Sequence, residues 1–309
     1  MNRISDLFRP RLFEGQYRIT SVRALHSRSG QKFLQLKLED SSGFITAYAW
    51  DGQYDGPWDF SYMVVVQAKG RTRYYQGTWV ADVRTLYIPS QLSVLSASLL
   101  PFSQTPASHL LPQLEQIERQ IKHPALKSFV ASVLSDMSIA IPFLSAPGSL
   151  KHHHNELGGL LRHSIECAQI AASMPMLEEF HRDLATAGGL LHDVGKITAF
   201  NGMQRTDMGY LVDHQAATLE VCASQLRTLA QNCPDAALAI RHILTCRSMK
   251  RWGYEPRMAI AHLVQLADRF SAELDIEKRS FSGLSQRRNV SNRVTNRGIT
   301  NWRPLVRQQ

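Results

Sequence analysis

Five short runs in the first part of the chain, 17–23, 32–38, 44–50, 63–69 and 78–83, are rich in β-branched and aromatic residues. They place apolar side chains mostly at alternate positions, the period of a half-buried strand. Turn formers separate them: Ser29-Gly30, Asp40 to Gly43, Asp51-Gly52, Gly70 and Gln76-Gly77. Five strands in a stretch this short predict a small Greek-key barrel of the OB type over residues 1–90. Residues 91–107, serine-rich and then broken by Pro101 and Pro106, read as a linker. From Ser108 the period changes. Leu110, Leu114, Ile117 and Ile121 recur at spacings of three and four, as do Leu126, Phe129, Val130 and Val133, which makes an apolar stripe on a helix. Further helices are predicted at 157–174, 182–195, 213–231, 235–248 and 256–274. The pattern therefore predicts a multidomain chain: an N-terminal all-β OB barrel, an all-α domain over 108–275, and a tail over 276–309.

Charge changes the picture at the C-terminal end. The net charge is +9, and the last segment from Ile276 carries seven arginines and Lys278 against Glu277 alone, +7 of the total. That segment is also poor in large aliphatics, so it reads as a basic, flexible arm suited to phosphate backbones. No apolar run reaches the roughly 18 residues of a membrane span, and the start, Met1 to Gln16, lacks the apolar core of a secretory signal. Cys167, Cys222, Cys233 and Cys246 form no CxxC pair and no zinc-ribbon spacing, as expected of thiols in a reducing cytoplasm. A membrane protein and a disulfide-built secreted domain are both disfavoured.

The chemistry lies in polar groups set inside apolar helical stretches. Leu190-Leu-His192-Asp193-Val-Gly-Lys196 ends one predicted helix, Gly158-Gly-Leu-Leu-Arg-His163 opens another, and Leu263-Val-Gln-Leu-Ala-Asp268 lies on a third. Buried imidazoles and carboxylates are costly unless paired or metal-bound. Two of each, His163, His192, Asp193 and Asp268, make a suitable shell for Mn²⁺, with Fe²⁺, Zn²⁺ or Mg²⁺ as alternatives. Lys196 follows by about one turn and is placed to offset phosphate charge, and Asp193 is a candidate proton acceptor.

The order H…HD…D resembles the signature of the HD superfamily. The flanking words, His153-His154 before Gly158-Gly-Leu-Leu-Arg-His163, then Leu-Leu-His-Asp-Val-Gly-Lys196, then Ala267-Asp268, resemble the YhaM-type 3′→5′ exoribonucleases. So does Phe33-Leu-Gln-Leu-Lys-Leu-Glu-Asp-Ser-Ser-Gly43 leading to Ala47-Tyr-Ala-Trp50. The resemblance covers about residues 15–275. It implies a metal-dependent phosphodiesterase with His163, His192, Asp193 and Asp268 on the metal. It adds His214 and His242 at the metal centre or on the phosphate, and His153 and His154 as phosphate contacts. Where the family often carries a His-His-Gly word, this chain has Cys246-Arg-Ser-Met249, which favours one metal over two and makes Arg247 a candidate phosphate contact. Leu150 stands where a lysine is common, with Lys151 adjacent.

In an OB barrel, single strands stack on aromatics beside a basic groove. The candidates are Phe33, Tyr48, Trp50, Tyr74, Tyr75 and Trp79, with Lys32, Lys69, Arg71 and Arg73 nearby. The expected function is a 3′→5′ exonuclease on single-stranded RNA or DNA, with single-stranded nucleic acid as partner and no membrane. Two alternatives are a non-catalytic single-strand-binding protein with a remnant HD pocket and an HD nucleotide phosphohydrolase.

Overall fold

The computed structural model describes residues 1–246, 255–286, 288–292 and 300–304, in two compact units that divide between Leu144 and Ser145. The first unit is built on five strands, β1 (Leu12–His26), β2 (Lys32–Asp40), β3 (Gly43–Trp50), β4 (Val65–Tyr75) and β5 (Thr78–Tyr87). They close into a barrel in the order β1-β2-β3-β5-β4, with β3 and β5 parallel and the other pairs antiparallel. The alternation in the sequence explains the closure. Leu34, Leu36 and Leu38 of β2 and Ile45, Ala47 and Ala49 of β3 all point inward and are buried with Tyr17, Ile19 and Val66. Each large aliphatic removed from water there contributes roughly 1.5–3 kcal/mol. β1 is far longer than the 17–23 run because it pairs with both β2 and β4, bending at a register shift between Ile19 and Ser21.

Residues 91–107, expected to be a linker, are packed. Leu99 and Leu100 are buried, Arg18 donates from Nε to the Leu99 carbonyl (2.9 Å), and Ser41 N–H donates to the Ser98 carbonyl (2.9 Å). The helices α1 (Leu111–Gln120), α2 (Pro124–Ser135) and α3 (Met137–Ser145) follow. Glu118 on α1 accepts the backbone N–H groups of Ser96 and Ala97, and Glu115 takes a forked contact from Arg3. The physical reason is polar pairing that an apolar pattern does not reveal. Among the described residues no single helix is long and apolar enough to cross a membrane, and the apolar pair α2 and α3 is bent by 78°.

Among its described residues the second unit is helical, with one small hairpin and an isolated bridge between Val290 and Trp302. Its helices are α4 (Gly159–Ala172), α5 (Glu179–Leu191), α6 (Lys196–Ala199), α7 (Asp207–Leu211), α8 (His214–Val221), α9 (Ala223–Asn232), α10 (Pro234–Thr245) and α11 (Ala259–Ser280). The hairpin pairs β6 (Phe200–Asn201) with β7 (Gln204–Arg205). α4, α5 and α11 pack on one another, and α10 covers α5. α11 runs past residue 276, where the tail was expected to start. Beyond it, Asn301 donates to the Ser280 hydroxyl, and the Arg303 guanidinium lies 4.2 Å over the Phe281 ring. Met249 and Arg247 lie outside the described residues.

α5 crosses α4 at Gly189, where an added Cβ would stand 2.9 Å from the Ala168 Cα. Gly189→Ala is therefore expected to push the helices apart at an overpacking cost of about 1–3 kcal/mol. The shift falls one turn before His192, so metal content should drop together with the melting temperature. Unchanged values for both would show that the crossing tolerates a methyl group.

Candidate metal centre and nucleic-acid face

Three helices of the second unit bring the polar residues together. His163 comes from α4, His192 and Asp193 from the end of α5, and Asp268 from α11. His163 Nε2 lies 3.1 Å from Asp268 Oδ1 and 3.6 Å from Asp193 Oδ2. His192 Nε2 lies 3.4 Å from Asp193 Oδ2 and 3.7 Å from Asp268 Oδ1, and it is buried without a hydrogen bond.

The other ring nitrogens fix the tautomers. Ser271, three residues after Asp268 on α11, donates its hydroxyl to Glu166 Oε2 (2.7 Å), so its oxygen accepts from His163 Nδ1–H at 3.0 Å. His192 Nδ1–H donates to the Gly189 carbonyl at 2.9 Å. Both Nε2 lone pairs therefore face carboxylate oxygens. Acceptor set against acceptor in a buried site is unfavourable unless a proton or a cation lies between them. Two imidazoles with outer hydrogen bonds and two converging carboxylates are the donor set a divalent transition metal takes.

The electrostatics agree. Burial lowers the pKa of His192, but Asp193 and Asp268 outweigh it and push it up to about 10. A proton then stands where a cation would. His163 is held below its ordinary value, by burial first, with Asp268 only partly offsetting it. Burial would raise Asp193, yet Lys196 and then His192 keep it well below the usual carboxylate range. Lys196 Nζ is 2.6 Å from Asp193 Oδ2 and donates to the Gly148 carbonyl at 2.7 Å.

His214, at the start of α8, joins the cluster with Nε2 3.2 Å from Asp193 Oδ1. Thr218 positions it, accepting from Gly195 N–H and donating to the His214 carbonyl. His242 is engaged elsewhere, its Nε2 accepting the Arg257 N–H at 2.8 Å. His153 stacks its ring centroid 5.2 Å from that of His163, and its Nε2 is buried without a hydrogen bond. Burial, then His163 and Lys196, lowers its pKa to about 4, so it is a neutral imidazole.

His154 needs a correction. It was expected beside His153 as a phosphate contact, but it is 1% exposed. Its Nε2 meets the Ser271 hydroxyl (3.2 Å) and Glu166 (3.3 Å), and its backbone N–H donates to Asp275. It supports His163 from behind. The sequence reading also passed over Cys167, one turn after His163. The ligand atoms of His163, Cys167, His192 and Asp268 all lie within 4.8 Å of one another. The i, i+4 spacing was the available signal, masked by the absence of a second cysteine nearby. Ser271 and Glu166 escape the sequence for another reason: each is read only through its partner.

Ser271→Ala is expected to weaken metal affinity about 10- to 100-fold, because it frees the His163 ring to rotate and to change tautomer. Metal titration of the stripped protein measures this, and an unchanged affinity would exclude the outer hydrogen bond as a determinant.

On the barrel, the strands that turn leucines inward turn aromatics outward. Phe33 pairs in register with Trp50, and their rings stack at 4.5 Å with 28° between planes. Tyr48 completes the cluster, 6.0 Å from Phe33 and 6.2 Å from Trp50, at 29° to the latter. Tyr48 pairs with Asp82 on β5, and Asp82 pairs with Arg71 on β4. The basic residues thus lie on the strand beyond, with Arg73 (2.8 Å) and Arg71 (3.7 Å) both on Asp82 and Arg73 4.6 Å over Tyr75. Asp82 offsets part of that positive charge.

With this geometry in view, residues 160–273 match the family model described as HD domain. The second unit carries an HD domain. The chain is accordingly a metal-dependent hydrolase, with a closed five-stranded barrel N-terminal to its HD domain. Over 263 residues it is 24% identical to the 3′-5′ exoribonuclease YhaM of Bacillus subtilis, covering 82% of each chain. It is 25% identical over 256 residues to the protein of that name from Listeria innocua, covering 80% of this chain and 81% of the relative. The matched residues include His163, His192, Asp193, Lys196, His214 and Asp268, while His153 and His154 precede them.

Proposed function

We propose that the chain removes nucleotides from the 3′ end of single-stranded RNA or DNA by metal-dependent hydrolysis. The observation that carries this reading is the meeting of the His163 and His192 Nε2 atoms with the Asp193 and Asp268 carboxylates, beside Lys196. The exoribonuclease name of the Bacillus subtilis and Listeria innocua relatives favours RNA and the 3′-to-5′ direction.

A divalent ion held by His163, His192, Asp193 and Asp268 would supply Lewis acidity at the phosphoryl group. Lys196 is placed to stabilise negative charge that builds on the phosphoryl oxygens. A carboxylate as strongly stabilised as Asp193 is a weak base, so its role is to hold and orient. His214, 38% exposed and hydrogen-bonded to Asp193 Oδ1, is better placed to take the proton from the attacking water. The bond from water oxygen to phosphorus forms, the bond to the strand's 3′ oxygen breaks, that oxygen takes up a proton from solvent to become a 3′-hydroxyl, and a nucleoside 5′-monophosphate leaves. His153, buried and neutral, adds no charge against the phosphate.

The barrel's cluster of Phe33, Trp50 and Tyr48 would hold the rest of the strand by stacking. The test is degradation of a 5′-labelled single strand. A ladder shortening by one nucleotide at a time from the 3′ end supports the reading, and internal cuts or no cleavage would overturn it.

A further inference from the structure

Beside the metal cluster, within the second unit, lies an open cleft of about 1060 Å³. Lys196 and His214 form its inner end, the 148–152 loop forms one wall, and the β6–β7 hairpin with α7 forms the other. Its charge is one-sided. Among the described residues, Lys151, Lys196 and Arg205 line it against one acid, Asp213, which accepts the Gln215 N–H as the cap of α8.

The wall made by α7 is built in an unusual way. None of the five residues of α7 is buried, yet the helix is firmly held. Thr206 Oγ1 accepts from Gly209 N–H and donates to the Thr198 carbonyl, and Thr206 N–H donates to the Ala199 carbonyl. Gly209 lies so close to the chain beneath it that an added Cβ would stand 2.4 Å from the Ala199 carbonyl oxygen and 2.9 Å from the Arg205 Cγ. The rigid turn serves no core. What it presents is Tyr210, 71% exposed, with the Arg205 guanidinium 5.4 Å from the centroid of its ring. Met203, at the tip of the hairpin, is exposed beside it.

We propose that this cleft is a nucleotide subsite, in which Tyr210 and Arg205 form a platform for a base and Lys151 meets a phosphate. An exposed aromatic and a guanidinium offer stacking and cation–π surface that tolerates any base. The cationic lining favours an anionic ligand over a cationic one, and the inner end opens on the residues assigned to hydrolysis. The ligand class is a nucleoside monophosphate, free or at the end of a strand. The identity of the substrate rests on the nuclease reading, but the binding does not.

The experiment titrates adenosine 5′-monophosphate and ribose 5-phosphate separately into the full-length chain, by calorimetry. The proteins are the parent, Tyr210→Ala, Tyr210→Phe and Arg205→Ala. The parent should bind the nucleotide at least about fivefold more tightly than the sugar phosphate, the low end for one base stacked on an aromatic. Tyr210→Ala should erase that preference by weakening the nucleotide alone, Tyr210→Phe should keep it, and Arg205→Ala should reduce it. Equal binding of both ligands by the parent, or an intact preference in Tyr210→Ala, overturns the subsite. Strand hydrolysis by the same proteins separates the two readings. A parent that prefers the nucleotide but degrades no strand upholds the subsite and defeats the nuclease reading. A parent that degrades strands without the preference does the reverse.

Discussion

Asp193→Asn is expected to lower strand hydrolysis by on the order of 10³-fold while leaving strand affinity nearly unchanged. One carboxylate here meets Lys196 at 2.6 Å, His214 at 3.2 Å, His192 at 3.4 Å and His163 at 3.6 Å. Asparagine keeps the shape but presents an amide and no charge. A metal held there would lose an anionic ligand, His214 would face an uncharged amide in place of a carboxylate, and Lys196 would lose its ion pair and keep the Gly148 carbonyl. Breaking one partner of a buried charged set also costs stability, about 3–5 kcal/mol in comparable cases. The melting temperature should therefore fall, and assays belong well below the new midpoint. Turnover within threefold of the parent would remove Asp193 from the mechanism.

Trp50→Ala should have the opposite signature. Trp50 stacks on Phe33 and lies beside Tyr48 on the outer face of β2 and β3, so its loss removes the largest ring of the three-membered cluster. One base unstacked from an aromatic costs roughly 1–3 kcal/mol. Strand affinity should fall about five- to 150-fold, with the rate at saturating strand preserved, because these rings are not among the residues assigned to hydrolysis. The barrel core should survive, since Leu34, Leu36, Ala47 and Ala49 face the other way. Fluorescence anisotropy of a labelled strand measures the loss. An unchanged affinity would place the binding face elsewhere on the barrel.

Much of this was legible in the residue pattern, for reasons the structure makes plain. Period-two alternation gave the five strands because one face of each is buried. Its short reach missed that β1 extends from Leu12 to His26 and β4 to Tyr75, where the strands continue as the twisted, two-sided wall of a closed barrel. The helical period found α4, α5, α10 and α11. It predicted one helix over 213–231 where α8 and α9 break at Cys222, because both pieces keep the same apolar spacing. The β6–β7 hairpin and α7 were invisible, having no apolar period to read.

At the centre, His163, His192, Asp193 and Asp268 stood out because each is a polar residue in an apolar run. Ser271 and Glu166 did not, since a serine or a glutamate on a helix is ordinary until its partner is known. His154 was misplaced for a geometric reason. Its backbone lies at φ 48°, and its ring, edge-on to that of His153 with centroids 5.8 Å apart, sits in the cage of Glu166, Ser271 and Asp275.

The most direct test follows a 5′-labelled single strand with protein stripped of metal by chelation and then supplied with Mn²⁺. Stripped protein should leave the strand intact, and restored protein should shorten it nucleotide by nucleotide from the 3′ end. Cleavage that persists after complete metal removal, or none with any divalent ion, would contradict the assignment.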